Sequence, residues 1–396
     1  MTIDKQAARE DLLSEPGFIH LDNAGAALMP RSVLQAQIDH LQLEASVGGY
    51  EAKRMRHDAI EAVYDSVARL INCRRDEVAI VENATVGWTM AFYAIPFQPG
   101  DRVLTAEAEY ASNYLAYLQI ARDRGVIVET IPSTASGEVC VESLKAMIDA
   151  RVKLIAITHV PTNGGLVNPV EEIGAVAKAH DILYLVDACQ SAGQIALDVD
   201  AIQCDLLSAT GRKYLRGPRG VGFLYVSSRV LDSLHPPMID LYSAKWIDAG
   251  HYQLRDDARR FENWESNYAA KLGLGCAIDT ALAISLGDIE VEVSRLADSL
   301  RAMLAELPGV SVHDIGKRKC GIVTFSVAGV DSSELETRLR QLGINVSMTT
   351  PSSTLIDATR RELPDMVRSS VHYYNQDSEL EALVNAVAEI ARHAPD

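Results

Sequence analysis

A lysine between two apolar runs is the first residue of this sequence whose position suggests chemistry. Lys213 lies in the stretch 205–225, which begins and ends with apolar residues and carries hydroxyl groups, glycines and arginines between them. A soluble protein seldom places a lysine between buried segments unless the amine is paired or used. A desolvated lysine has a lowered pKa and forms Schiff bases with aldehydes. Lys213 is therefore either half of a buried ion pair with Asp187 or a catalytic amine.

Asp187 is the second candidate, because it follows directly after the apolar segment 182–186. A carboxylate at that place lies at the carboxyl edge of the predicted sheet. It would either cap a turn or helix or face a cationic ring nitrogen of a bound cofactor. Gln190, three residues later, is placed to add a hydrogen bond to the same ligand.

A third set of candidates lies at residues 83–86, where a predicted strand gives way to a helix. Free N–H groups at a helix N-terminus favour a phosphate dianion, and arginine adds charge-assisted hydrogen bonds. Ordinary capping by Asn83 explains the same pattern. The candidate phosphate ligands are Ala84, Thr85 and Val86 in this segment, and Thr210 and Arg212 beside Lys213.

Together these residues meet the three requirements of pyridoxal 5′-phosphate (PLP). The aldehyde needs a lysine, the pyridinium nitrogen needs a carboxylate, and the phosphate needs a cup of donors. The six cysteines are widely spaced and form no CxxC pair, so we expect reduced thiols and no metal site.

The surrounding elements must bring these residues to one place. Apolar strands predicted at 76–81, 102–105, 126–131, 152–158 and 182–186 alternate with helices predicted at 112–123, 141–150 and 169–180. This alternation predicts an α/β fold with a mostly parallel sheet covered on both faces. Ligands of such sheets bind outside the carboxyl ends of the strands, where most of the candidates lie.

The pattern changes after about residue 230. Long helices are predicted over 266–307, followed by short strands that alternate with helices at 332–342 and 377–392. We therefore predict an N-terminal arm at 1–17, a large α/β domain at 18–258 and a smaller α+β domain at 259–396.

Composition restricts the partners of the chain. A net charge of −17 argues against non-specific binding to nucleic acid or anionic membranes. Residues 1–20 contain scattered charges without an apolar core, and no segment approaches a membrane-spanning length. We expect a cytoplasmic enzyme that acts on a small molecule.

Three motifs carry a family resemblance: THVPTNGGLVNP at 158–169, VDACQSA at 186–192, and TGRK at 210–213 with GPRGVG at 217–222. They resemble the class V aminotransferase family, the cysteine-desulfurase-like branch of the fold-type I PLP enzymes. The likeness runs from residue 21 to residue 375. It implies a large domain with a mostly parallel seven-stranded-type sheet, a smaller C-terminal domain, and a homodimer with active sites at its interface.

The resemblance also implies roles for individual residues. Lys213 would form the internal aldimine and move protons at the substrate α-carbon, Asp187 would pair with the pyridinium nitrogen, and Gln190 would contact the phenolic oxygen. Tyr110 would stack on the cofactor ring and take part in catalysis. The phosphate would be held by Ala84, Thr85, Thr210 and Arg212. The substrate would be bound by Arg368, which clamps its α-carboxylate, and by Asn23, Ala24 and Asn163.

Two departures from the family pattern bear on the reaction. The segment 260–267, with Trp264 and Glu265, would come from the partner subunit but differs from the threonine-containing version of desulfurases. The segment 345–354 lacks the loop cysteine of desulfurases, and Cys320 is poorly placed. We therefore expect the chain not to be a cysteine desulfurase.

The remaining motifs look most like carbon–sulfur lyases of the hercynylcysteine sulfoxide lyase type. The expected reaction is β-elimination from an S-substituted cysteine or its sulfoxide. An aminotransferase and an amino-acid epimerase are the alternatives.

Overall fold

Fifteen strands and fifteen α-helices build the part of the chain that this computed structural model describes, residues 3–393. The strands are β1 (Ile19–His20), β2 (Val78–Val81), β3 (Arg102–Ala106), β4 (Ile127–Ile131), β5 (Val152–Thr158), β6 (Leu183–Asp187), β7 (Leu206–Thr210), β8 (Gly222–Val226), β9 (Ala244–Asp248), β10 (His251–Leu254), β11 (Val310–Val312), β12 (Ile322–Val327), β13 (Ile344–Asn345), β14 (Ser347–Thr349) and β15 (Met366–Ser370).

The helices cover both faces of the larger sheet and one side of the smaller one. They are α1 (Lys5–Glu10), α2 (Asn23–Ala26), α3 (Arg31–Val47), α4 (Gly49–Met55), α5 (His57–Ile71), α6 (Ala84–Tyr93), α7 (Ala111–Arg124), α8 (Val141–Met147), α9 (Val170–Ala179), α10 (Val199–Ile202), α11 (Tyr268–Ile284), α12 (Leu286–Ala305), α13 (Ser332–Gln341), α14 (Leu355–Arg360) and α15 (Asp377–Arg392). No single helix of the described residues is long and apolar enough to cross a membrane; α11 and α12, bent against each other, meet that test only as a pair, by length and composition.

The large sheet has seven strands in the order β2-β8-β7-β6-β5-β3-β4. All of its neighbouring strands are parallel except β8, which runs antiparallel to both β2 and β7. Successive residues of β5 alternate between two apolar cores, with Ile155 and Ile157 in one and Leu154 and Ala156 in the other. Burial on both faces explains the continuous apolar runs in the sequence. The predicted α/β fold of the fold-type I class is confirmed.

A smaller antiparallel sheet in the order β11-β12-β15-β14 lies beside the large one. The N-terminal strand β1 pairs with β13, so the beginning of the chain joins this second unit. The packing differs in one respect from the predicted division after residue 258. Helix α11 adds Ala270, Leu274 and Ile278 to the core of the large sheet. The boundaries 1–17, 18–258 and 259–396 stay predictions, and residues 1–2 and 394–396 of these segments lie outside the described residues.

Local patterns placed most elements to within a few residues. The exceptions are α2, α3, α4, α10, α14 and the β9–β10 hairpin, which the sequence analysis did not predict, and α8, which ends at Met147 instead of residue 150. The hairpin is mostly exposed, so its residues lack the apolar alternation that marks a buried strand.

Candidate active site

A cavity of about 290 Å³ lies at the carboxyl ends of β5, β6 and β7. Parallel strands end at the same edge of a sheet, which is why residues far apart in sequence meet there. The cavity is lined by eight of the predicted residues: Ala84, Thr85, Tyr110, Asp187, Gln190, Thr210, Arg212 and Lys213.

Lys213 reaches this cavity from the connection between β7 and β8. Since β8 reverses direction, the chain passes the carboxyl edge of the sheet twice within a few residues. The turn at Gly193 packs against the backbone of this connection. The φ of Gly193 is +97°, and a Cβ there would lie 2.4 Å from the carbonyl carbon of Tyr214. Only glycine fits so close to another backbone in that conformation.

The amine of Lys213 is shifted toward its neutral form. Burial lowers the pKa of Lys213 below its ordinary value, and the positive charges of Arg212 and Arg368 lower it further, while Cys189 and Asp187 oppose the shift. The neutral amine is the form that attacks an aldehyde. Lys213 is therefore suited to hold an aldehyde cofactor.

Asp187 ends β6 with its carboxylate buried at the cavity. Its Oδ2 accepts a hydrogen bond from Asn113 Nδ2 at 2.9 Å, and its Oδ1 accepts one from the backbone N–H of Cys189 at 2.9 Å. Burial raises the pKa of Asp187, and Lys213 has the smallest of the named effects on it. Of the two interpretations of Asp187, the structure thus favours a carboxylate that faces a cationic ligand. An ion pair between Asp187 and Lys213 is disfavoured.

The start of helix α6 forms one end of the cavity. Asn83 caps this helix, and its Oδ1 accepts the N–H of Val86 at 3.0 Å. Ala84 and Thr85 line the cavity, whereas Val86 does not. Gly222 allows β8 to approach this helix end, because a Cβ there would lie 2.4 Å from the Ala209 carbonyl oxygen and 3.3 Å from the Ala84 nitrogen. A helix N-terminus that opens into a cavity suits a phosphate.

Two further lining residues complete the cavity. Gln190 donates from Nε2 to the carbonyl oxygen of Ala24 at 3.2 Å, while its Oε1 is buried without a hydrogen-bond partner in the described residues. Such an orphaned acceptor suits a hydroxyl group of a ligand. Tyr110 precedes α7 and is 36% exposed, so its ring is free to cover a planar ligand.

Arg368 lies on β15, immediately behind this cavity. Its Nη1 donates to Thr162 Oγ1 at 2.8 Å, and Thr162 is itself a lining residue. Its Nη2 faces Asp22 Oδ1 at 3.3 Å, and its Nε is buried without a partner in the described part of the chain. The guanidinium group therefore retains an unused donor at the border between the two sheets.

The other predicted substrate residues do not line the cavity. Asn163 donates to the Thr350 carbonyl oxygen at 2.8 Å and to Thr354 Oγ1 at 3.1 Å. Asn23 donates to the Ser370 carbonyl oxygen at 2.7 Å. Both side chains connect segments of the structure, and Ala24 contributes its carbonyl to Gln190. Their assignment to substrate binding stays a prediction without geometric support.

The sequence analysis missed six lining residues: Thr158, Val160, Thr162, Cys189, Arg219 and Gly220. Asn83, from the candidate segment 83–86, also lines the cavity. Cys189 lies between Asp187 and Gln190 in the sequence, so its position near the site could have been predicted. Arg219 lies in the 217–222 motif, although nothing in the motif distinguishes it from a solvated arginine. Burial raises the pKa of the Cys189 thiol, and the charge of Lys213 opposes this shift.

Comparisons with known proteins identify the family of this chain. Residues 19–383 match the family described as aminotransferase class-V. A probable cysteine desulfurase of Methanothermobacter thermautotrophicus is 28% identical over 97% of this chain and 97% of its own length. A cysteine desulfurase of Serratia proteamaculans is 30% identical over 94% of this chain and 93% of its own. The apo structure of a cysteine desulfurase from Thermococcus onnurineus superposes with a TM-score of 0.92 at 26% identity, covering 99% of both chains.

Fold and site together define a fold-type I enzyme whose cofactor is PLP. The chain belongs to the class V aminotransferase family. Its residues fit the cofactor: Lys213 for the aldehyde, Asp187 for the ring nitrogen, Gln190 for the phenolic oxygen, and the start of α6 for the phosphate.

One sequence-based prediction is wrong. We expected β-elimination from an S-substituted cysteine and excluded a cysteine desulfurase, whereas the relatives matched are named cysteine desulfurases. The exclusion depended on one ten-residue loop, 345–354, while these relatives match almost the whole chain. The finer resemblance to hercynylcysteine sulfoxide lyases gains no support from them.

Replacing Lys213 by alanine should abolish covalent attachment of the cofactor, because no other lysine lines the cavity among the described residues. Protein loaded with PLP is reduced with borohydride, digested and analysed by mass spectrometry. The wild type and Lys145→Ala, which removes an exposed lysine, should carry the label on the peptide containing Lys213. Label on a different lysine in the wild type would contradict the assignment.

Proposed function

We propose that this protein removes the sulfur atom of L-cysteine in a PLP-dependent reaction and releases alanine. One observation carries the proposal: a single cavity unites Lys213, Asp187 and the start of α6, and Arg368 stands directly behind it. That arrangement suits a PLP-dependent reaction on an amino acid. The names of the relatives support cysteine as the amino acid and sulfur removal as the reaction.

PLP, when bound, supplies an electron sink conjugated to the substrate α-carbon. Asp187 provides the negative charge that favours a cationic ring nitrogen. Lys213, whose pKa burial lowers, is available as a neutral amine to accept the proton at the α-carbon and return it. Tyr110 covers one side of the cavity and limits the access of water.

Arg368 is proposed to bind the substrate α-carboxylate. Its Nη2 lies 3.3 Å from Asp22 Oδ1, which is longer than the 2.7–2.9 Å typical of charge-assisted hydrogen bonds. This contact is weak, and the buried Nε has no partner in the described residues. A carboxylate that approaches Nε and Nη2 would make two parallel hydrogen bonds and displace the contact with Asp22.

Sulfur removal requires an acceptor for the sulfur atom. The Cβ–S bond breaks with its electron pair left on Cβ, which takes a proton, while the sulfur forms a new S–S bond with a thiolate. The segment 345–354 holds no cysteine. Cys189 lines the cavity, but burial raises the pKa of its thiol and so disfavours the nucleophilic thiolate. We therefore propose that a small thiol from solution is the acceptor.

L-cysteine with a small dithiol should yield equal amounts of alanine and sulfide. Alanine is measured by chromatography and sulfide colorimetrically. Lys213→Ala should form neither product, and Cys189→Ala should keep its rate to within about twofold, since an isolated change beside a site has a small effect when the residue takes no part in the reaction. Formation of pyruvate in place of alanine would contradict the desulfuration proposal. Alanine formation that needs Cys189 and not the dithiol would overturn the acceptor proposal alone.

Arg368→Ala should raise the KM for L-cysteine at least about a hundredfold, because two hydrogen bonds to the substrate carboxylate are lost. The estimate follows from the loss of hydrogen bonds to a charged group, each worth about 1.5–3 kcal/mol. Cofactor content should not change, because Arg368 does not line the cavity assigned to PLP. Arg295→Ala is the matched control, since it removes an exposed arginine of the same part of the chain. An unchanged KM would contradict the carboxylate role.

We also propose that the enzyme is a homodimer. Leu41, Tyr50 and Trp264 are 54%, 78% and 46% exposed and line one cavity of about 630 Å³. That cavity meets the active-site cavity at Gly220. A second copy on this face would cover the apolar side chains and border the active site.

Sedimentation velocity should give twice the mass of the chain, and Tyr50→Glu should favour the monomer because it places a charge in the covered face. Leu118→Glu is the control, since Leu118 is 53% exposed but does not line this cavity. A monomeric wild type would contradict the proposal.

A further inference from the structure

A second carboxylate, Glu109, is buried behind Asp187 and does not line the cavity. It lies between β3 and α7 and is 3% exposed. Its oxygens accept four hydrogen bonds: from Thr105 Oγ1 at 2.8 Å, from the Tyr110 N–H at 2.8 Å, from Asn113 Nδ2 at 3.0 Å, and from the hydroxyl of Thr158. Hydrogen-bond donors thus surround a carboxylate that has no role in the reaction proposed above.

Asn113 connects this carboxylate to the cofactor site. Its Nδ2 donates to Glu109 Oε1 at 3.0 Å and to Asp187 Oδ2 at 2.9 Å. An amide nitrogen carries two hydrogens, so one group bridges two carboxylates. Asn113 is 2% exposed and lies in the first turn of α7. Thr158, the hydroxyl donor to Glu109, pairs directly opposite Asp187 in the β5–β6 register.

Two buried carboxylates so close together are energetically unfavourable in the protein without a ligand. Burial raises the pKa of both carboxyl groups, and the charge of Asp187 raises that of Glu109 further. Neither carboxylate forms a salt bridge with a cationic side chain within residues 3–393, although buried charges are normally paired. A cation bound at Asp187 would relieve the repulsion, and the ring nitrogen of PLP is such a group when it is protonated.

We propose that Glu109 is a positioning residue of the cofactor site that acts through Asn113 on Asp187. Its hydrogen bond through Asn113 fixes the Asp187 carboxylate, and its negative charge favours a protonated ring nitrogen more strongly than Asp187 alone. This inference rests on the PLP cofactor and not on the proposed reaction with cysteine. It therefore holds even if the substrate is a different amino acid.

Glu109→Gln separates the charge from the packing. The amide oxygen of glutamine can accept from Tyr110, Asn113 and Thr158 as the carboxylate does. Its NH₂ group can donate to the hydroxyl of Thr105, which is able to accept as well as donate. The substitution thus removes one negative charge and leaves the shape of the site almost unchanged.

The experiment measures the ring-nitrogen proton directly. Holoenzyme is prepared with PLP isotopically labelled at the ring nitrogen, and nitrogen NMR follows its protonation with pH. In Glu109→Gln the proton should be lost about one pH unit lower than in the wild type, and PLP should bind about tenfold more weakly. The other titratable groups near this network are Asp187, Tyr117, Cys189 and Lys213.

Two further variants test the route through the amide. Asn113→Leu removes the bridge and should shift the titration in the same direction, and the double variant should show little further change, because residues that act through one contact are not additive. Glu138→Gln is the control, since Glu138 is a buried glutamate with Thr134 and Ser136 as donors and does not line the cofactor cavity.

If Glu109→Gln and Asn113→Leu both titrate like the wild type and bind PLP equally well, the proposal is wrong. Fully additive shifts in the double variant would overturn the route through Asn113. If Glu109→Gln does not fold, Asn113→Leu decides, since it leaves both carboxylates in place and removes the amide that donates to each of them.

Discussion

The structure depends on a buried carboxylate that forms no salt bridge with a cationic side chain of residues 3–393. Asp187 stands at the end of β6, between β5 and β7, where strands covered on both faces exclude water. A charge there is unfavourable unless a partner binds. Hydrogen bonds from Asn113 and from the Cys189 N–H fix its direction without neutralising it. The site therefore has a strong preference for a ligand that brings a positive charge.

The amine of Lys213 shares a cavity with that carboxylate because of the one reversal in the large sheet. Strand β8 runs antiparallel to β7, and Lys213 stands in the connection between them. Two glycines make the connection possible by close backbone contact, Gly193 against Tyr214 and Gly222 against the start of α6. The amine, the carboxylate and the helix N-terminus are thus fixed by backbone elements, so little reorganisation is needed when a ligand binds.

The substrate end of the site is built differently from the cofactor end. The groups proposed to hold PLP line the cavity at the large sheet, whereas Arg368 comes from β15 of the smaller sheet. Asn23 and Asn163 make hydrogen bonds that join segments near this border, and Thr162 connects Arg368 to the cavity. Cofactor chemistry can therefore be common to a family while substrate choice varies with the second unit and its loops. This separation explains why the cofactor was predicted correctly and the reaction was not.

Local sequence determined the α/β order and several of the residues that line the cofactor cavity. Those residues follow strand ends, and a strand end has a clear signal in hydrophobic pattern. The seven-stranded type of sheet and the role of Tyr110 were implied by the family resemblance. Tertiary structure alone decided two matters: α11 packs on the large sheet, and Glu109 reaches Asp187 through Asn113. Each depends on contacts between segments that no local pattern describes. A glutamate in an apolar context looks the same in sequence whether it is solvated or held by four donors, and only packing distinguishes the two.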